Sequence, residues 1–364
     1  AKVAGIGGSE RHLLTLLPAL AGAGLDVRMV VMASGQAGRF IEGLRGLGIE
    51  VTALPAGPDV NPALALRLRA LIRGCDLVHT HLIHADLHGL IAAKAAGVPS
   101  VSSLHSAHSF YARQPYTSVF RLGSRLASRR IAISQHVKDF LVGNALAVPE
   151  QVIVVPYGID TSRWRFDDQL RRRARDGFGI PGGAVAVGVA SRLIKGKGHE
   201  FLIEAMGRAL PEAPQLCLLV GGDGPQRGHL EKAAAELLPR QSYRFCGFVP
   251  EIKDFMAACD VLAFPTVPPL SEGFGLAALE AMAAGLPVAA SAIGSLPELV
   301  CDGETGLLAE PGNVDHLAAA LVRLASGAAF RRTLGEAGRT RADVLFSLEK
   351  LVERTLEVYS TSAG

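Results

Sequence analysis

The chain has 364 residues, of which 49% are apolar and 20% charged, with a formal net charge of +3. That length sets an expectation of two domains, and the apolar share supports large cores and excludes a disordered chain. The small net charge, with no platform of interleaved aromatic and basic residues, excludes nucleic acid as a partner.

The first recognisable element is a glycine turn, Gly7-Gly8-Ser9-Glu10, before a helix. Only six residues precede Gly7, too few for a full strand. A missing central strand would leave backbone groups unpaired, so a truncated chain is expected. Apolar runs at 27–32, 77–79, 99–103, 130–133 and 152–155 predict a first parallel sheet. A second series lies at 185–190, 217–220, 243–245, 261–264 and 288–291, with helical segments between the members of each. The fold class is therefore α/β, two doubly wound sheets with ligands at the carboxyl ends of their strands. A stretch rich in Pro, Gly, Asp and Arg at 156–175 marks the boundary.

A cluster of six histidines falls in the first half: His79, His81, His84, His88, His105 and His108. Their spacing permits shared metal ligation, but no set of carboxylates or thiols completes it, although Asp86 is near, and no metal is expected. His105 ends the strand at 101–104, where an open sheet meets its ligand. For His79, His81 and His84, strand-end packing and local hydrogen bonding suffice. Arg121, Arg125 and Arg129 are spaced to share one helical face. A solvated face explains them, with weak peripheral contact to an anionic membrane as the alternative. Residues 1–160 carry 15 Lys and Arg against 10 Asp and Glu, so the basic excess lies in that half.

Arg192 and Lys197 follow an apolar strand in a loop, which suits two cations meeting a diphosphate: Arg as a fork, Lys as a point charge. The segment 271–288 is nearly free of charge apart from Glu272 and Glu280. Glu272 precedes a helix opened by Gly275 and Glu280 lies within it, about 12 Å further along the axis. The amides of Phe274, Gly275 and Leu276 offer an anion site, Gly273 and Gly275 allow close approach, and the carboxylates can accept from hydroxyls. By itself the pair reads as a dipole complement plus a solvent-exposed Glu. The five cysteines (Cys75, Cys217, Cys246, Cys259, Cys301) form no C-x-x-C pair and read as reduced thiols of a cytosolic protein. No apolar h-region follows Lys2, so no signal peptide is expected. The low-charge stretch 274–296 reads as buried helix plus strand and not as a membrane span.

Further motifs occur in order: Val155-Pro156-Tyr157-Gly158-Ile159-Asp160, Ser191-Arg192-Leu193 with Lys197-Gly198, Leu219-Val220-Gly221-Gly222-Asp223-Gly224-Pro225, Cys246-Gly247-Phe248-Val249 and Asp302-Gly303-Glu304-Thr305-Gly306. With the glycine turn and the E-x7-E segment, they resemble the retaining glycosyltransferases of family 4, the group 1 transferases. Tyr157 stands where the family's P-N-G-I-D has Asn, and Ser191 where G-R-L has Gly. The resemblance implies a GT-B fold of two Rossmann-like domains facing across a cleft: an acceptor-binding domain at 1–157, a nucleotide-sugar domain at 158–344, and a helix at 345–364 returning to the first.

It also implies a retaining, metal-independent hexosyltransferase that moves a sugar from a nucleotide-diphosphate donor, uridine over guanosine, to an acceptor hydroxyl in glycan, glycolipid or small-molecule glycoside synthesis. No cofactor is expected, and no D-x-D pair is present to hold a metal. Gly7 and Gly8 would shape the cleft floor, His105 would touch the donor sugar, and Arg192 and Lys197 the diphosphate. Glu272 would take sugar hydroxyls and Glu280 the ribose. Gly247, Phe248 and Val249 would join Gly273 to Leu276 in holding the donor. The expected location is cytoplasmic, at most peripheral at the inner membrane face. A nucleotide-sugar epimerase or a non-catalytic binding homologue are the rivals; a nicotinamide dehydrogenase is disfavoured because Gly5-Ile6-Gly7-Gly8 lacks the G-x-G-x-x-G spacing.

Overall fold

The computed structural model describes residues 2–3, 7–33, 35, 37–55 and 61–363. Two compact units emerge, Ala1–Ile159 with Leu348–Gly364, and Asp160–Ser347.

In the first unit, β1 (Lys2–Val3), β2 (Arg28–Ala33) and β3 (Glu50–Pro55) form one parallel sheet. β4 (Val78–His81), β5 (Ser100–Leu104), β6 (Arg129–Ala132) and β7 (Val152–Val154) form another, also parallel. The first strand has two described residues, Lys2 and Val3, which pair with Met32 and Ala33 ahead of the glycine turn. Gly5 and Ile6 lie outside the described residues. β3 escaped the sequence reading because Glu50 and Thr52 interrupt its apolar positions. β5 is buried at every position, as small and apolar residues in a covered parallel strand should be.

Helix Gly8–Gly22 and helix Leu348–Ala363 pack together on the sheet through Leu16, Leu20, Leu351 and Val358, against Val101, Ile131 and Val155. The last helix therefore belongs to the first unit although 188 residues of the second precede it.

The supposed basic helical face is also corrected. Helix Tyr116–Leu126 carries Arg121 and Arg125, but Arg129 opens β6 opposite Val101. Ala127 leaves the helical region and ends the stripe. Arg130 is fully buried and pairs with Asp86 at 3.0 Å. Asp86 also accepts from Ser102 Oγ at 2.8 Å and Thr80 Oγ1 at 2.5 Å, so both charges are hydrogen-bonded as burial demands.

The second unit has one six-stranded parallel sheet of β8 (Val185–Ala190), β9 (Leu216–Gly221), β10 (Tyr243–Gly247), β11 (Val261–Phe264), β12 (Val288–Ser291) and β13 (Gly306–Ala309). The order is β10-β9-β8-β11-β12-β13. The chain steps outward from β8 to β10, then returns to the other side of β8 as β11. The β8/β11 junction is thus the topological switch point, where an open α/β sheet leaves a crevice. The basic run near the boundary forms helix Asp168–Gly177, and Arg175 Nη1 meets Asp260 at 2.9 Å. All five cysteines are free, and no described helix is long and apolar enough to cross a membrane.

Candidate active site

The two loops that leave the switch point carry the charged residues. After β8, residues 191–198 present Arg192 to solvent and Lys197 half-buried. After β11 come Thr266 and Glu272. Lys197 Nζ meets Glu272 Oε1 at 2.7 Å, and Thr266 Oγ1 donates to the same oxygen at 2.7 Å. The two charged side chains are only 18% and 12% exposed, so their attraction is poorly screened by water.

The Glu272 backbone is held as firmly as its carboxylate. Its carbonyl accepts from Ser295 N at 3.0 Å and Ser295 Oγ at 3.1 Å. Gly294 makes this approach possible: its φ is +62°, and a Cβ there would fall 2.4 Å from the Glu272 carbonyl. Helix Leu276–Ala283 follows, with Gly275 at its N-cap. Glu280 lies in it only 6% exposed, which removes the solvent-exposed reading of that residue. Phe274 is buried too, its ring 5.7 Å from that of Phe346.

Neighbouring strand ends are tied to the same loops. Leu193 N donates to Asp223 O at 3.0 Å, and Gly222 N to Gly247 O at 2.7 Å. Gly247 ends β10, Phe248 beyond it is 72% exposed, and Val249 is half-buried. Ser191, in place of glycine, shares a hydrogen bond with His199 Nε2 at 3.1 Å. Burial first, and then Lys197, pushes His199 down to about 4, so it is neutral near pH 7. A pocket at the carboxyl ends of β8 and β11 is lined by Ser191, Lys197, Phe264, Pro265 and Thr266.

In the first unit, Gly7 caps helix Gly8–Gly22, and its N–H donates to Glu10 Oε2 at 2.9 Å. Both Gly7 and Gly8 are exposed. The ends of β4 and β5 hold a histidine cluster. His79 bonds Tyr359 OH and Ser103 Oγ, each at 2.7 Å. His81 Nδ1 lies 3.1 Å from His105 Nε2, and His105 Nδ1 lies 2.6 Å from Tyr157 OH. Burial pushes His105 and His79 down to about 3, and His12 and His81 well below the usual histidine range. Like-charge repulsion among them adds to the effect in His12, His79 and His81. No group able to hold a metal ion occurs among the described residues.

Comparison with known proteins decides the family. The model "Glycosyl transferases group 1" matches residues 171–341, and "Glycosyltransferase Family 4" matches residues 6–163. A 2-deoxystreptamine glucosyltransferase of Streptomyces kanamyceticus is 34% identical over 68% of this chain and 68% of its own. A D-inositol 3-phosphate glycosyltransferase of Kribbella flavida is 30% identical, covering 86% and 81%. The chain belongs to the group 1 glycosyltransferases. The crystal structure of Anabaena Alr3699/HepE in complex with UDP-glucose superposes with a TM-score of 0.86 at 25% identity, covering 99% of this chain and 98% of that one.

The fold of this glycosyltransferase is accordingly GT-B, with two Rossmann-like units. Of the residues named from sequence, Lys197 and Glu272 are in direct contact, and Arg192, Gly247, Phe248, Gly273, Gly275 and Leu276 lie on loops or a helix start at strand carboxyl ends of the same unit. His105, Gly7 and Gly8 are in the other unit. Sequence reasoning did not name Thr266, Ser295 or His199, whose hydrogen bonds hold these loops. Thr266 had a usable signal, since it follows β11 at the end where ligands bind. Ser295 had none, because its partner is a carbonyl 23 residues away.

Proposed function

We propose that this glycosyltransferase transfers a hexose from a nucleotide-diphosphate donor to an acceptor hydroxyl with retention and without a metal ion. The observation that carries the reading is the Lys197–Glu272 ion pair at the switch point, beside exposed Arg192. Lys197 and Arg192 supply positive charge where a diphosphate would leave. The first-turn amides at Gly275 and Leu276 add a dipole of the same sign. Glu272, already anchored through Thr266, accepts hydroxyls of the sugar, and Glu280 those of the ribose. His105 touches the donor sugar.

Transfer breaks the bond between the anomeric carbon and the diphosphate oxygen, whose electron pair leaves with the phosphate. The acceptor oxygen bonds the same face, and its proton passes to the departing phosphate oxygen. No enzyme nucleophile is needed.

Uridine is favoured over guanosine because the similar Anabaena protein was solved with UDP-glucose. A Mycolicibacterium smegmatis relative, 29% identical, is GDP-mannose-dependent and supplies the competing donor. The acceptors named for the curated relatives make a cyclitol hydroxyl the first to try.

The test is transfer from UDP-glucose or GDP-mannose to 2-deoxystreptamine and to D-inositol 3-phosphate, with and without EDTA. Expected is turnover of UDP-glucose that EDTA leaves unchanged, giving an α-linked product by proton NMR. Loss of turnover in EDTA would overturn metal independence, and a glycosyl–enzyme adduct would overturn the front-face route.

A further inference from the structure

We propose that Tyr157 is the positioning residue of His105: its hydroxyl donates to Nδ1 and so keeps the imidazole proton on Nε2, making His105 a hydrogen-bond donor toward a sugar oxygen. This rests on the reading that His105 touches the donor sugar.

Both ring nitrogens of His105 are engaged inside the first unit, Nδ1 with Tyr157 OH at 2.6 Å and Nε2 with His81 Nδ1 at 3.1 Å. A neutral imidazole has one N–H, so the partner at one nitrogen dictates the proton at the other. A phenol O–H is a better donor to an imidazole nitrogen than an imidazole N–H is to a phenol oxygen. Tyr157 therefore donates, Nε2 carries the hydrogen, and His81 Nδ1 accepts it.

The geometry holds the Tyr157 ring in place. It is 4% exposed, and its ring is stacked on His12 at 4.2 Å with 17° between the planes. Burial and the nearby Glu10 carboxylate hold its hydroxyl well above the usual tyrosine range, so it stays a phenol. Burial likewise keeps His105 neutral. The longer bond, to His81, is the one a sugar oxygen would share or replace. Tyr157 also departs from the P-N-G-I-D pattern, in which Asn stands at that position.

The experiment reads the His105 tautomer by 15N imidazole correlation NMR on the 364-residue chain without added donor, with the His105 signals assigned by their loss in His105→Ala. Wild type should show an Nε2–H tautomer. In Tyr157→Phe, which keeps the ring on His12, the two tautomers should mix. Its kcat with UDP-glucose should fall about tenfold, the worth of one hydrogen bond, while KM stays within about twofold. An Nδ1–H tautomer in wild type, an unchanged His105 pattern in Tyr157→Phe, or a tautomer shift with unchanged kcat would each overturn the proposal. The wild-type spectrum decides even if the variant fails to fold. Full transfer activity in His105→Ala would instead sink the donor-sugar role of His105, leaving the tautomer measurement to judge Tyr157.

Discussion

Lys197 and Glu272 show how two residues of ordinary kind become a fixed pair. Each alone is a common surface residue; at 2.7 Å, with Thr266 on the same carboxylate oxygen, each fixes the other. Removing the cation should cost what a lost oxyanion-site donor costs. Lys197→Ala is expected to lower kcat/KM by about 10²–10³, measured with saturating acceptor. Glu272→Gln keeps the Thr266 partner but loses the charge that orients Lys197, and should lose less than Lys197→Ala. Equal activity of both variants to wild type would remove the pair from the site. The E-x7-E spacing and the R-x4-K loop are legible in one dimension; their meeting is not, because 75 residues separate Lys197 from Glu272.

At the scale of elements, the turn at 294–295 acts as a clamp on the loop that carries Glu272. Gly294 and Gly303 both have positive φ, but a Cβ at Gly294 meets the Glu272 carbonyl while one at Gly303 meets open space. Gly294→Ala should combine about 1–2 kcal/mol of left-handed strain with about 1–3 kcal/mol of overpacking, and should displace Glu272. Gly303→Ala should carry the strain alone and keep its activity. Urea unfolding and initial rates on the two variants test this; equal losses would mean that the clamp is irrelevant. Strand positions are readable as elements, since buried parallel strands leave apolar runs, and 185–190, 261–264 and 288–291 are found as expected. β3 and the end of helix Tyr116–Leu126 are not. An edge strand can alternate with polar residues, and the helix end depends on a strand partner that lies far away in sequence.

For the whole molecule, the buried imidazoles make stability depend on pH. His79 and His105 are pushed down to about 3 and His199 to about 4, with His12 and His81 also well below the usual range. Below the unfolded value of about 6.5 the unfolded chain binds protons that the folded chain refuses. Stability is therefore full above about 6.5 and is lost as pH falls toward the folded values. Four of these histidines lie in the first unit and one in the second, so the first should lose more. Calorimetry from about pH 8 to about pH 4 should show a level Tm above about 6.5 and a steady fall below it. A Tm that stays level down to about pH 4 would contradict the buried, neutral cluster.

By itself the sequence determined the family, the α/β class and the positions at which charge is scarce enough for Glu272 and Glu280 to matter. Those are local properties: apolar period, glycine placement and motif spacing survive in one dimension. Only the tertiary structure decided which groups share a hydrogen bond. Tyr157 reaches His105 across 52 residues, Tyr359 reaches His79 across 280, and Arg130 is buried beside Asp86 instead of lying at the surface. Such pairings are set by strand order and register, which bring distant side chains into a shared low-dielectric interior where an unpaired polar group would be costly.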